Sequence, residues 1–319
     1  MSNNVKDIVM KIRLGYACMS KIFNETPSGI ITYTEYLKNP DINRVKNKII
    51  SNLTNLEKLI DYNIRNDFTF FRLTSKLIPL ATKKEVEFDY MLEYKDYFDK
   101  ISKKLTNMRV DLHPDQFTVL NSTNKETINN SIDNLIYNYN ILKLLNVKDK
   151  VLILHIGSSV LGKQNSLSRF KNTFNKLPTY LKESIVLEND DKIYNLEDTL
   201  FLCESLNIPM VFDYHHYLCN GSDIDLTKYL KRIIYTWSNY NINPKMHFSS
   251  PKSKLKKEFR THHDYIDVIE FMKFLEILKP LNTDIDIMIE AKGKDEAILR
   301  LVSMLKYYGY KIDKNIITI

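Results

Sequence analysis

Glycine is scarce, with seven residues in a chain of 319, and none falls in a G-x-G-x-x-G or G-x-x-x-x-G-K-[ST] pattern. The glycine-built phosphate cradles of dinucleotide-binding and P-loop folds are thereby disfavoured. Cysteine is scarcer still. Cys18, Cys203 and Cys219 are odd in number, scattered and without C-x-x-C spacing, which predicts free thiols in a reducing cytosol. No apolar run approaches the length of a membrane span, and the opening "MSNNVKDIVMKIRLGY" lacks an uninterrupted signal-peptide core. The expectation is a cytoplasmic protein without a membrane partner. No linker, repeat or low-complexity stretch divides the chain, so residues 1–319 are expected to form a single domain.

What is present is a large apolar and aromatic complement. Hydrophobic residues make up 44%, with 15 Phe and 20 Tyr, enough for a sizeable core. The formal net charge of +7 suits a polyanionic partner, though a Lys- and Asn-rich composition bias accounts for it equally well.

Short strand-like runs recur at 10–16, 68–73, 108–113, 150–157, 184–190, 208–216, 244–250 and 284–292. Between them lie longer stretches with apolar residues at helical spacing. In "ETINNSIDNLIYNYNILKLL" the stripe is Ile128, Ile132, Leu135, Ile136, Tyr139 and Leu142. Continuous apolar strands covered by helices imply parallel pairing with both faces buried. Eight such units predict an α/β fold, a closed (β/α)8 TIM barrel, in preference to an open doubly wound sheet.

The seven histidines concentrate where these runs end. His113 ends the third, His155 stands near the end of the fourth, and His215 and His216 close the sixth. His247 lies in the seventh, and His262 and His263 follow it. Acids stand at equivalent places: Glu188, Asp213 and Glu290. Any one of these is ordinarily a satisfied rim residue. Together they would be costly as bare buried polar groups, whereas divalent cations turn carboxylates and neutral imidazoles into ligands. A metal cluster at the C-terminal ends of the strands is therefore predicted, where such barrels carry their chemistry.

Two or more ions there could activate water on a phosphodiester, with Glu188 as the bridging carboxylate. The loops supply phosphate-binding chemistry. Ser158, Ser159, Lys163 and Arg169 follow the fourth strand, and Lys252, Lys254, Lys256, Lys257 and Arg260 follow the seventh. On a barrel's catalytic face the second run lies where a DNA backbone would pass, although a solvated basic loop explains it as well.

These residues carry a resemblance. "IRLGYAC", "RLTSKLIPLAT", "LHPDQFTVLNS", "LILHIGS", "VLENDD", "FDYHH", "KMHFSS", "HHDYI" and "IMIEAKGKDEA" occur in order along nearly the whole chain. In this the sequence resembles the ultraviolet damage endonucleases, the UvsE/UVDE group, which share a barrel with endonuclease IV. The resemblance implies nicking of double-stranded DNA immediately 5′ of ultraviolet photoproducts, leaving a 3′-hydroxyl and a 5′-phosphate. It implies two or three divalent ions, foremost manganese, with zinc, magnesium or cobalt as alternatives, in a monomer. Carried over by position, it groups His113, His155 and Glu188, then Glu188, Asp213, His247 and Glu290. His216 and His262, preferred to His215 and His263, hold a third ion. Gln116-Phe117 matches the pair that probes the lesion, and an aromatic ring can fill the gap left by unstacked bases. Tyr16 matches a second aromatic at the active site, and Ser20 joins the expected DNA contacts.

Two departures stand out. Lys83 occupies a place where the group often has histidine, and Phe117 lacks the hydroxyl of the commoner tyrosine. Lys245, two residues before His247, is expected on the same face of its strand. An ammonium beside several cations is unfavourable, so a carbamylated lysine, a neutral amine or an ammonium turned to substrate phosphate are the three outcomes, the first being preferred. Glu188, Lys245 and Tyr16 are the expected catalytic residues. Two other functions fit less well: a sugar isomerase on the same barrel, and a metal- or DNA-binding protein without catalysis.

Overall fold

The computed structural model describes residues 9–319. All eight apolar runs form strands: β1 (Lys11–Ala17), β2 (Phe70–Leu73), β3 (Arg109–Leu112), β4 (Leu152–His155), β5 (Ile185–Glu188), β6 (Met210–Asp213), β7 (Lys245–Phe248) and β8 (Ile285–Ile289). Each is parallel to the next, and β1 closes the ring by pairing with both β2 and β8. The result is a TIM barrel wrapped by helices. The strands are nearly all shorter than the apolar runs suggest, and three ends matter. His113 and Glu290 lie one residue beyond β3 and β8. After β6 the chain turns at once into the helix Tyr214–Cys219, because the Asp213 side chain caps it by accepting from the His216 N–H. His215 and His216 therefore stand on a helix rather than a strand.

Alternation along the strands sorts the interior into layers. Arg13, Arg109 and Asp286 meet at the N-terminal end. Asp286 accepts from Arg13 Nε at 2.9 Å and from Arg109 Nη1 at 2.6 Å, and Arg109 is sandwiched between the Phe70 and Trp237 rings. Above them lie Phe70, Asp111, Lys245 and Met288. The histidines and acids form the C-terminal layer. Gly15 lets Phe70 cross this interior, since a Cβ there would come within 2.5 Å of the Phe70 ring.

The helix Lys125–Leu144 is the predicted amphipathic segment, but its buried face is turned slightly. Ser131, Leu135, Asn138 and Leu142 face inward, while Ile128, Ile132, Ile136 and Tyr139 are half-buried. Ser131 and Asn138 are admitted because each donates to a carbonyl one turn back, Thr127 and Asn134.

A hairpin outside the barrel, β9 (Lys311–Asp313) and β10 (Ile316–Thr318), pairs antiparallel with the start of β1. Lys314 and Asn315 make its two-residue turn at φ of 48° and 61°, as a type I′ turn demands. Cys18, Cys203 and Cys219 are all free, and no helix among the described residues is long and apolar enough to cross a membrane.

Candidate metal centre at the barrel mouth

Glu188 lies at the middle of the C-terminal layer and is 1% exposed. Its Oε2 is 3.2 Å from His113 Nε2 and 3.7 Å from His155 Nε2. Its Oε1 is 2.9 Å from His247 Nδ1 and 3.4 Å from His216 Nδ1. Three ligand groups share this carboxylate: His113, His155 and Glu188; Glu188, Asp213 and His216; and Glu188, His247 and Glu290. Burial alone would raise the Glu188 pKa, but His247 and His155 outweigh it and hold the carboxyl well below its usual range.

The donor set fits divalent ions. Asp213 Oδ2 and His155 Nδ1 are buried without hydrogen-bond partners. Burial pushes His155 below its ordinary pKa, which keeps the imidazole neutral as a ligand must be. At His216 burial also lowers the pKa, yet Asp213 and Glu188 override it and push it up to about 9; these acids call for a positive charge. His113, His216 and His262 each direct Nδ1 at a backbone carbonyl, those of Pro114, Asn189 and Glu290, at 3.0, 2.8 and 2.7 Å. An Nδ1–H donated in this way leaves Nε2 as the free donor atom. The His216 and His262 rings lie 6.3 Å apart. His215 differs: Nδ1 meets Ser249 Oγ at 2.8 Å and Nε2 meets the Phe259 carbonyl at 2.7 Å, so both nitrogens are committed. His263 is exposed and accepts from the Tyr265 N–H.

Two residues that sequence reading did not single out complete the layer. Arg72 places Nη1 2.6 Å from Glu290 Oε1 and Nη2 2.7 Å from His247 Nε2. The third group thus already has a cation, so the two groups on His113/His155 and Asp213/His216 fit metal ions best. Asp111 accepts from Lys245 Nζ at 2.6 Å. Lys245 is fully buried, and burial lowers its pKa to about 7 despite the Asp111 charge. The repulsion foreseen for this lysine is thus met by an acid one layer below the ligands. Arg72 interrupting the apolar run "FTFFRL" and Asp111 interrupting "MRVDLH" were the available signals. Asn189 also serves the site, linking to Asp213 through both backbone groups at 2.9 and 3.0 Å.

Other expected contacts are placed differently. Tyr16 is fully buried, packs edge-on against Phe68 and Phe71, and donates to Asn63. Burial raises its pKa strongly. It faces outward from the barrel, so its expected roles as catalyst and DNA contact are corrected to one of packing. Ser20 is buried on Asp295 and caps the turn at Ile22 and Phe23, which corrects its DNA role too. Arg169 spends its guanidinium on the Asn121 and Val160 carbonyls, and Lys163 pairs with Asp198 at 2.6 Å. Arg169 thus holds loops in place, and Lys163 ties its helix to the helix Leu196–Leu206. Lys252 pairs with Glu258 at the surface, while Lys254 is exposed and unpaired among the described residues. Phe117 stands 76% exposed on the loop after β3, beside Gln116. A groove of about 480 Å³ runs beneath it, lined by Lys83, Asp115, Thr118 and Asp133 among others.

Comparison with known proteins matches residues 12–316 to the family described as UV-endonuclease UvdE. The UV DNA damage endonuclease of Bacillus mycoides (strain KBAB4) is 39% identical over 304 residues, covering 93% of this chain and 95% of that protein. The crystal structure of SacUVDE superposes with a TM-score of 0.84 at 28% identity, over 93% of this chain and 99% of that one. Endonuclease IV from Thermus thermophilus shares the fold, with a TM-score of 0.57 at 12% identity over 93% and 98% of the two chains.

Proposed function

Because the chain belongs to the UV-endonuclease UvdE family and is in that capacity a DNA damage endonuclease, we propose that it nicks duplex DNA immediately 5′ of ultraviolet photoproducts by hydrolysis, leaving a 3′-hydroxyl and a 5′-phosphate. The observation that carries this reading is Glu188, shared by three ligand groups at the mouth of the barrel. Divalent ions bound there, manganese foremost, would supply an activated water and polarise the phosphodiester. His113, His155, Glu188, Asp213 and His216 are the ligands we assign first, with His262 facing His216 across the mouth and His247 and Glu290 beside them. Arg72 orients the Glu290 carboxylate and His247. Lys254, with Lys252 at its side, meets the DNA backbone, and Gln116-Phe117 enters the duplex at the lesion, where distorted DNA is cheaper to open. Such a protein would act as a monomer in the cytoplasm, on the nucleoid.

The test is incision of a duplex carrying one defined photoproduct. Chelation is expected to abolish nicking and added manganese to restore it, with a product that a polymerase extends from its 3′ end. A metal-restored protein that leaves the lesion duplex intact, or whose product cannot be extended, refutes the reading.

We further propose that Lys245 leaves Asp111 and carries a carbamate once the site is loaded, the modification replacing a cation beneath the cluster with an anion that faces the metal ions. Zinc-loaded protein in ¹³C-bicarbonate is expected to show one carbamate NMR resonance that is missing in Lys245→Arg. An identical spectrum for the two proteins would leave Lys245 as the partner of Asp111 alone.

A further inference from the structure

The loop between β4 and the helix Lys163–Asn175 presents two apolar side chains to solvent at the catalytic mouth. Val160 is 52% exposed and Leu161 71% exposed. Scattered exposed apolar residues are ordinary on any protein surface; this pair is held in place. Ser166 Oγ donates to the Val160 carbonyl at 3.0 Å, and Asn165 Nδ2 to the Leu161 carbonyl at 2.7 Å. Arg169 grips the Val160 carbonyl and Ser166 Oγ together, and the Gly162 N–H closes a turn on the Ser159 carbonyl at 2.9 Å. Leu161 itself sits at a φ of +63°, a region that a branched side chain occupies only under strain and that concentrates at working sites.

The same loop is bolted to the one carrying Phe117. Asn121 Nδ2 donates to the Ser158 carbonyl at 2.6 Å and Asn121 Oδ1 accepts from the Ser158 N–H at 3.2 Å. Arg169 Nε reaches the Asn121 carbonyl at 2.9 Å. Gly157, at a φ of +108°, permits this approach, since a Cβ would lie 2.6 Å from Asn121 Oδ1. Two neighbouring, mutually braced loops thus each hold an exposed apolar group on the rim that surrounds Glu188.

We propose that Val160 and Leu161 form a second wedge, which enters a groove of duplex DNA beside the lesion and packs on sugars and unstacked base edges, while Phe117 enters from the adjoining loop. Aliphatic side chains inserted at a base step hold a kink open, and a lesion lowers the cost of that kink. The pair is then a determinant of damage specificity, with no part in the bond cleavage. Arg169 serves this wedge by fixing its frame, which accounts for its engagement within the protein. This inference rests on the reading of the chain as a lesion-directed DNA endonuclease.

The test compares the manganese-loaded wild type with Val160→Ser/Leu161→Ser, and with Leu161→Met as the apolar control. The substrates are duplexes with and without a single thymine dimer, with 2-aminopurine opposite the lesion reporting unstacking. The double variant is expected to bind the lesion duplex about tenfold more weakly, as loss of two apolar contacts implies. It should also show a smaller 2-aminopurine rise, with unchanged metal content and near-unchanged binding to intact duplex. Leu161→Met should behave as wild type. Wild-type fluorescence and affinity in the double variant, or an equal loss on both duplexes, overturns the wedge alone. A wild-type protein that nicks no dimer-containing duplex overturns the underlying functional reading, and the wedge with it.

Discussion

Glu188→Gln is expected to abolish incision of irradiated DNA while leaving the barrel folded. The change keeps the shape of the side chain and removes one negative charge. That charge is shared among His113, His155, His216 and His247, all within 3.7 Å of its oxygens. A glutamine offers one acceptor oxygen where two ligand groups each claim one. The loss should be about a thousandfold or more, since several kcal/mol of charge stabilisation at a metal site is at stake and each 1.4 kcal/mol is tenfold. Single-turnover nicking of a defined lesion measures the rate, and elemental analysis measures the metal content. Near-normal nicking by a folded, metal-restored Glu188→Gln protein would remove Glu188 from the centre of the site.

At the opposite end of the barrel, Asp286→Asn should produce the largest loss of stability. Asp286 is fully buried and answers both Arg13 and Arg109. Removing one member of a buried charge set costs about 3–5 kcal/mol, because the remaining charges are left uncompensated. Arg109 has little recourse: its Nη1 keeps the Asn243 carbonyl, while its Nε and Nη2 have no hydrogen-bond partner. Burial alone would raise the Asp286 pKa, but Arg109 and Arg13 bring it below its ordinary value. A carboxyl with a depressed folded pKa contributes fully above its unfolded value of about 4 and loses that contribution as pH falls further. Thermal melts should therefore separate variant from wild type widely at pH 7 and progressively less below about pH 4. Asp284→Asn, which keeps an acceptor for the Lys11 N–H at the surface and removes only a charge, should shift stability by about 0.5 kcal/mol or less. Equal melting of Asp286→Asn and wild type at pH 7 would show that the two arginines find other relief.

The barrel was legible because parallel strands buried on both faces read as unbroken apolar runs, and a polar residue ending such a run stands out. His113, His155, Glu188, Asp213 and Glu290 stand out that way, and the structure brings them together at one end of the barrel. The same unbroken runs conceal which face each residue takes. Tyr16 shows this: Arg13, Gly15 and Ala17 point inward, so Tyr16 points to the helices, and only the assembled ring reveals it. The partners of Lys245 and Glu290 were hidden for another reason. Asp111 and Arg72 lie 134 and 218 residues away in the chain, and no local pattern announces a pairing over that distance. Asp213 acting as a helix cap, which moves His215 and His216 off the strand, was readable from the D-x-x-H spacing but competed with an apolar run that continued through it. Lys163 and Arg169 look like free charges in the sequence because composition does not show which carbonyls a guanidinium, or which carboxylate an ammonium, will find.

The pairing of β1 with β8 bears on how the chain is made. Ile12 through Tyr16 align with Ile285 through Ile289, so the first strand of the barrel waits for its eighth before the ring can shut. Until then one edge of β1 stands open, and such edges recruit foreign strands. Helices and neighbouring parallel pairs can form during translation, but closure is a late, non-local event and correspondingly slow. Expression at reduced temperature, or with chaperones that shelter nascent chains, should therefore raise the soluble yield more than any change at the mouth of the barrel.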